Sequence, residues 1–204
     1  MSSSAWFSLF VICLLGTISP GPSLAAVLKN TLRGSRFHGL VTAIAHAVGV
    51  GLYALLVAAG MALVITESPV IFRVITYVGA IYLLCLGYKA LTVKAFIVTS
   101  SFQETPFLSW KEAALDGFLI AFLNPKLADF FLALFSQFVT PESTLNTKLL
   151  MALLVMFCDG VWYVLIAWLA GHNKVLPLLR SKARWVSGVC GIFLIILALK
   201  IVLI

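Results

Sequence analysis

The chain has 204 residues, is 62% hydrophobic and only 10% charged, and has a mean hydropathy of +1.12. A water-soluble domain of that size must present its whole exterior to water and has no use for so much apolar surface, which excludes that class. A formal charge of +7 would suit a nucleic-acid binder, but the basic residues are distributed between apolar stretches as a membrane topology requires, and no nucleic-acid partner is expected.

A membrane-spanning helix needs about 20 mostly apolar residues. Six such stretches follow one another at about 5–28, 40–65, 70–93, 113–138, 148–170 and 184–204, joined by short loops. The chain therefore reads as a single transmembrane domain. The first stretch has neither a basic leader nor a small-residue cleavage motif, so it reads as a retained span rather than a signal peptide. It runs from Trp6 to a Pro20-Gly21-Pro22 break and resumes as Ser23-Leu24-Ala25-Ala26-Val27-Leu28. The second is rich in small residues, with Gly49-Val50-Gly51 in mid-span, which let helix backbones approach closely in a bilayer. The third carries Gly79 and Gly87, near two helical turns apart and so on one face, a further packing seam.

A polar linker at about 96–112, holding Ser100, Ser101, Gln103, Glu104, Thr105 and Pro106, divides the chain into halves of about 1–95 and 113–204. The fourth stretch is broken at Asn124-Pro125-Lys126, and the fifth places Asp159 ahead of Trp162 and Tyr163. Three spans in each half reverse the orientation of the second half. The expected fold is an all-α membrane protein of six transmembrane helices in two inverted three-helix repeats, with helices 1 and 4 broken.

Charge sets the orientation. Lys29, Arg33 and Arg36 follow the first stretch, Lys89, Lys94 and Lys111 the third, and Lys174, Arg180, Lys182 and Arg184 the fifth, which is ten of the fourteen Lys and Arg residues. The loops after the second and fourth stretches hold only Arg73 and Lys148. The positive-inside rule then puts the first, third and fifth loops in the cytoplasm and both termini outside. The same charge attracts anionic membrane lipid.

Proline inside a helix removes a backbone donor and clashes with the preceding turn. In lipid an unsatisfied backbone group costs several kcal/mol, so non-helical backbone at depth persists only within protein or beside a water-filled cavity. One such break reads as an ordinary proline kink. Two, three segments apart and each with polar neighbours, are what an internally repeated transporter places around a substrate site. Pro20, Gly21, Pro22, Ser23, Asn124, Pro125, Lys126 and Asp129 are the candidate binding residues.

Ionisable groups within spans mark function by default. Lys126 and Asp129 are three apart, share a helix face and can pair. The pair reads either as a structural lock on the break or as a site with Lys126 toward a carboxylate and Asp129 toward an ammonium or a proton. Asp159 has no positive neighbour in its own span, so it requires a partner across the bundle or a proton. It is the first proton-coupling candidate. His46, of the residue type that titrates near physiological pH, is the second, although an interior histidine with its hydrogen bonds satisfied is the plainer reading. Asp116 and Lys200 sit near span ends and read as reaching the interface. Cys13, Cys85, Cys158 and Cys190 lie on four different spans with no CxxC and read as small buried hydrophobes. No nucleophile–base set, phosphate loop or metal-ligand spacing is present, so no catalysis, cofactor or metal is expected.

The order of these features resembles the LysE family of amino-acid exporters, which includes lysine exporters and RhtB-type efflux proteins for homoserine, threonine and homoserine lactone. The resemblance rests on Ser19-Pro20-Gly21-Pro22, on Gly79 to Gly87, on Phe122-Leu123-Asn124-Pro125-Lys126 with Phe130-Phe131, on Gln137-Phe138-Val139, and on Asp159 with Trp162 and Tyr163. It covers essentially the whole chain. It implies a multi-pass exporter of the cell inner membrane that moves a small molecule, an amino acid or derivative, against protons. Asp129, Ser23, His46 and Val50 depart from the family's usual residues, which bears on substrate and charge preference. Three other classes compete. A cation exporter favours clustered carboxylates, and here the acids are single. A membrane redox protein needs a cysteine near each break, and the fourth stretch has none. A scaffold without transport has no reason to keep Lys126, Asp129 and Asp159 in the bilayer. The sequence leaves a homo-oligomer open.

Overall fold

The computed structural model describes residues 1–92, 109–170 and 175–203. Most of the expected polar linker lies outside them. The described residues form eight helices and no strand: α1 (Ser3–Ile18), α2 (Pro22–Arg33), α3 (Arg36–Glu67), α4 (Pro69–Thr92), α5 (Trp110–Phe122), α6 (Pro125–Phe135), α7 (Leu145–Ala170) and α8 (Val175–Leu203).

Among the described residues three helices, α3, α4 and α7, are each long and apolar enough to cross a membrane, and two bent pairs bring the number to five. The pairs are α1–α2, bent by 56°, and α5–α6, bent by 50°. In α8 the apolar part is Trp185–Leu199. The bends follow from the prolines. Pro22 and Pro125 each occupy the first turn of the second half-helix, where a missing N–H costs nothing. The residues ahead of them, Gly21 and Asn124, are extended and cannot continue the preceding helix. Each pair is long enough to cross as one span. The 16 residues of α1 and the 12 of α2, inclined as observed, extend about 34 Å along the axis of α1, and α5 with α6 about 30 Å, against a hydrocarbon core of about 30 Å.

Helix α3 stands at the centre, against α2, α5, α6 and α7, while α4 packs along α8. The pairings α3–α7 and α4–α8 join each helix to the one at the matching place in the other half. The main apolar core runs between them through Leu9, Val50, Phe131, Phe135, Met151 and Leu194. Outward faces carry exposed Leu56, Leu63, Ile81, Phe157 and Ile196, which suits a lipid exterior.

Small residues set the spacing, as expected. A Cβ on Gly79 would lie 2.8 Å from that of Ala133, and one on Gly87 2.7 Å from the carbonyl of Gly191. The seam is real, but its two glycines serve two partners, α6 and α8. Gly117 of α5 abuts the backbone carbonyl of Thr42 in α3.

One end of the bundle is tied by polar contacts. Lys29 Nζ pairs with Asp116 Oδ2 at 3.2 Å, Asn30 Nδ2 donates to Thr42 Oγ1 at 3.0 Å, and Thr42 Oγ1 donates to the carbonyl of Ala113 at 3.1 Å. Ala167, near the end of α7, lies beside Gly39. The ends of α2 and α7 and the starts of α3 and α5 therefore meet at this end of the bundle.

Candidate functional site

The two breaks meet at one partly enclosed cavity. Ser19, Gly21, Pro22 and Ser23 line it from the first break, Asn124 and Lys126 from the second, and His46, Asp159 and Tyr163 from α3 and α7. Val50, Phe130, Phe131 and Leu194 form an apolar wall. Its volume is about 40 Å³, enough for a few waters at about 10–15 Å³ each. Pro125 begins α6 at the rim of the second break.

The breaks differ in how they satisfy their backbone. At the second, Asn124 caps α6: its Oδ1 accepts the N–H of Lys126 at 3.0 Å. At the first, no side chain caps α2. Pro22 has no N–H, and Ala25 N–H bonds the carbonyl of Gly21 at 3.2 Å. The N–H groups of Ser23 and Leu24 thus open the helix without an intrahelical partner.

His46 and Asp159, 1% and 3% exposed, join across the α3–α7 interface, Nδ1 to Oδ2 at 2.7 Å. Asp159 therefore has the cross-bundle partner its lone position demanded. The Tyr163 ring sits edge-on to the imidazole, centroids 5.0 Å apart. Tyr163 also approaches the first break, its hydroxyl 3.4 Å from the carbonyl of Thr17. The buried Nε2 of His46 has no hydrogen-bond partner among the described residues. In the tautomer that donates Nδ1–H to the carboxylate, Nε2 is left as the ring's acceptor position. His46 is thus satisfied on one nitrogen and open on the other.

Lys126 and Asp129 do not pair. Lys126 lines the cavity, its Nζ 3.5 Å from where a Cβ on Gly21 would stand. Asp129 is near enough to Tyr82 of α4 to act on it electrostatically and is not among the cavity-lining residues. Side chains on a helix lean toward its N-terminus, so the long lysine reaches back into the break while the short aspartate, most of a turn further on, stays with α4. Asp116 is half-exposed and paired with Lys29, while the side chain of Lys200 lies outside the described residues. Cys13, Cys158 and Cys190 are buried as expected, but Cys85 is exposed on the outer face of α4.

Residues 14–203 match the LysE type translocator family. The chain belongs to that family. The LysE type translocator is 26% identical over 171 residues to the uncharacterized membrane protein YrhP of Bacillus subtilis strain 168, covering 80% of this chain and 81% of that one. It is 25% identical over 194 residues to the uncharacterized membrane protein YahN of Escherichia coli K12, covering 95% and 86%. It is 34% identical over 124 residues to the leucine efflux protein of Salmonella choleraesuis, covering 59% and 56%. No solved structure matches the chain.

Sequence reasoning missed the joining of His46 to Asp159. Both were single ionisable residues, one in the second span of each half, and that matched position was the available signal. It also missed the Asn30–Thr42–Asp116 network, in which Asn30 Nδ2 also donates to Asp116 Oδ2 at 3.4 Å and of which only Asp116 drew notice, as a residue reaching the interface, and the aromatic wall of Phe130 and Phe131.

Proposed function

We propose that this LysE type translocator exports neutral amino acids with apolar side chains, or their derivatives, across the inner membrane by proton-coupled antiport, with both termini outside. The observation that carries the reading is that the buried His46–Asp159 pair lines the same cavity as both backbone breaks. A zwitterion moving against its gradient needs a coupled ion, and the chain has no nucleotide-binding motif to supply energy otherwise. The pair offers one proton site in contact with the substrate's chamber, so occupancy by substrate and by proton can oppose one another. Pro20, Gly21, Pro22, Ser23, Asn124, Pro125 and Lys126 bind substrate in this reading, and Asp129 stands outside it. The apolar wall suits an aliphatic side chain, and similarity to proteins named for leucine efflux supports that choice.

The test is transport by purified protein in proteoliposomes loaded with labelled leucine. An imposed proton gradient should drive leucine uphill in the opposite direction, and a protonophore should stop it. Leucine flux that ignores the gradient would remove the coupling. No flux of any neutral amino acid would remove the substrate class.

A further inference from the structure

We infer that the first turn of α2 and the Lys126 side chain form a seat for a carboxylate, so that the cavity selects molecules with a free acid group over their amides. The inference rests on the export reading for its physiological ligand, but its geometry is independent of proton coupling.

Helix α2 is 12 residues long and begins at the cavity, with Gly21 and Ser23 on its wall. Its uncapped N–H groups, at Ser23 and Leu24, carry the positive end of the helix dipole, roughly half a charge. Lys126 brings a full positive charge to the same place, its ammonium 3.5 Å from the position a Gly21 side chain would take. Among the described residues no carboxylate pairs with it. Two positive groups face each other in a partly enclosed space, and the one acidic side chain on that wall, Asp159, is already held by His46. Buried charge left without a partner is costly, so the arrangement calls for an incoming anion. An independent feature of the same cavity also awaits a ligand: His46 is 1% exposed and its Nε2 has no partner among the described residues, an acceptor position that suits a donor on the ligand other than its carboxylate. A carboxylate satisfies the donors in one step, one oxygen on the N–H groups of α2 and the other on the ammonium. Half-helix N-termini inside a bilayer suit anionic groups in this way. Glycine at 21 keeps the approach open, because anything beyond a Cβ there would displace the ammonium.

The experiment reads binding rather than transport: calorimetric titration of detergent-purified protein with leucine, leucinamide and 4-methylpentanoate, for the wild type, Lys126→Gln and Lys126→Arg. The wild type should bind leucine at least about tenfold more tightly than leucinamide, the size expected for a hydrogen-bonded charge contact. It should bind 4-methylpentanoate more tightly than leucinamide too. In Lys126→Gln the preference should fall to within about threefold, and Lys126→Arg should restore it. Gly21→Ser serves if Lys126→Gln does not fold: its hydroxyl would occupy the N–H groups of α2 and weaken leucine binding more than leucinamide binding. A wild type indifferent to the acid group, or a Lys126→Gln protein that keeps the preference, overturns the seat. Selective binding without uphill transport sustains the seat and counts against the export reading alone.

Discussion

The two breaks bend the chain by similar angles, 56° and 50°, yet they leave opposite chemistry at mid-bundle. The Asn124 break satisfies its own helix start and sends a lysine into the cavity. The Gly21 break satisfies nothing by side chain and offers open backbone donors. Two similar bends thus frame an asymmetric site. Proline does the same work in both halves, while the residue ahead of it decides whether the new helix end is closed by its own chain or left for a guest.

The largest expected effect tests whether the α3–α7 pair, and neither break, carries the proton. Asp159→Asn should lower proton-driven leucine accumulation to the level of protein-free liposomes, since an amide cannot ionise and the pair loses its carboxylate. Leucine exchange without a gradient should stay measurable. Undiminished uphill transport by the variant would move the proton site to the breaks.

The next tests whether the half-helices leading into the breaks are held alike. Gly117→Ala forces a methyl against the Thr42 backbone and should cost about 1–3 kcal/mol, read as a lowered melting temperature in detergent. Gly16→Ala meets only the tip of the Phe130 ring, which can turn aside, so its melting temperature should fall less. Equal losses would mean that both helices sit against rigid walls.

Cap removal should cost less again. Asn124→Ala opens the start of α6 and should destabilise by about 1 kcal/mol, with the two breaks then alike in lacking a cap. An unchanged melting temperature would mean that the Asn124 bond does not hold the break. The smallest effect on stability is expected for Gly21→Ser, a change of a few tenths of a kcal/mol, accompanied by weaker leucine binding. Stability and binding moving together would indicate that Gly21 matters only to the fold.

Both breaks were legible in the sequence because proline acts on its own backbone, and the helices were legible because a bilayer demands long apolar runs. The His46–Asp159 contact joins residues 113 apart, and only the docking of α3 on α7 brings them together. Helical spacing correctly put Lys126 and Asp129 near one face but was silent on direction, and the lysine's length carried it to the other break. Phe130 and Phe131 entered the sequence reading only as part of a family resemblance, since an apolar residue in a span can face lipid, core or cavity alike. Only the fold distinguishes a cavity wall from either.

The buried pair between α3 and α7 also governs assembly. As the chain is made, α3 enters the bilayer well before α7, and α7 must then carry an aspartate through hydrocarbon, at a cost of about 2.5–3.5 kcal/mol at mid-helix. The facing surfaces are otherwise small and repetitive, with Gly160 beside Ala47 and Met156 beside Gly51, and offer little to tell one turn from the next. A slip of one turn, about 5.4 Å, would part the imidazole from the carboxylate and strand both in lipid. The pair therefore fixes the register of the two central helices, so the translocator cannot settle into a misaligned bundle without leaving two polar side chains unpaired in its interior.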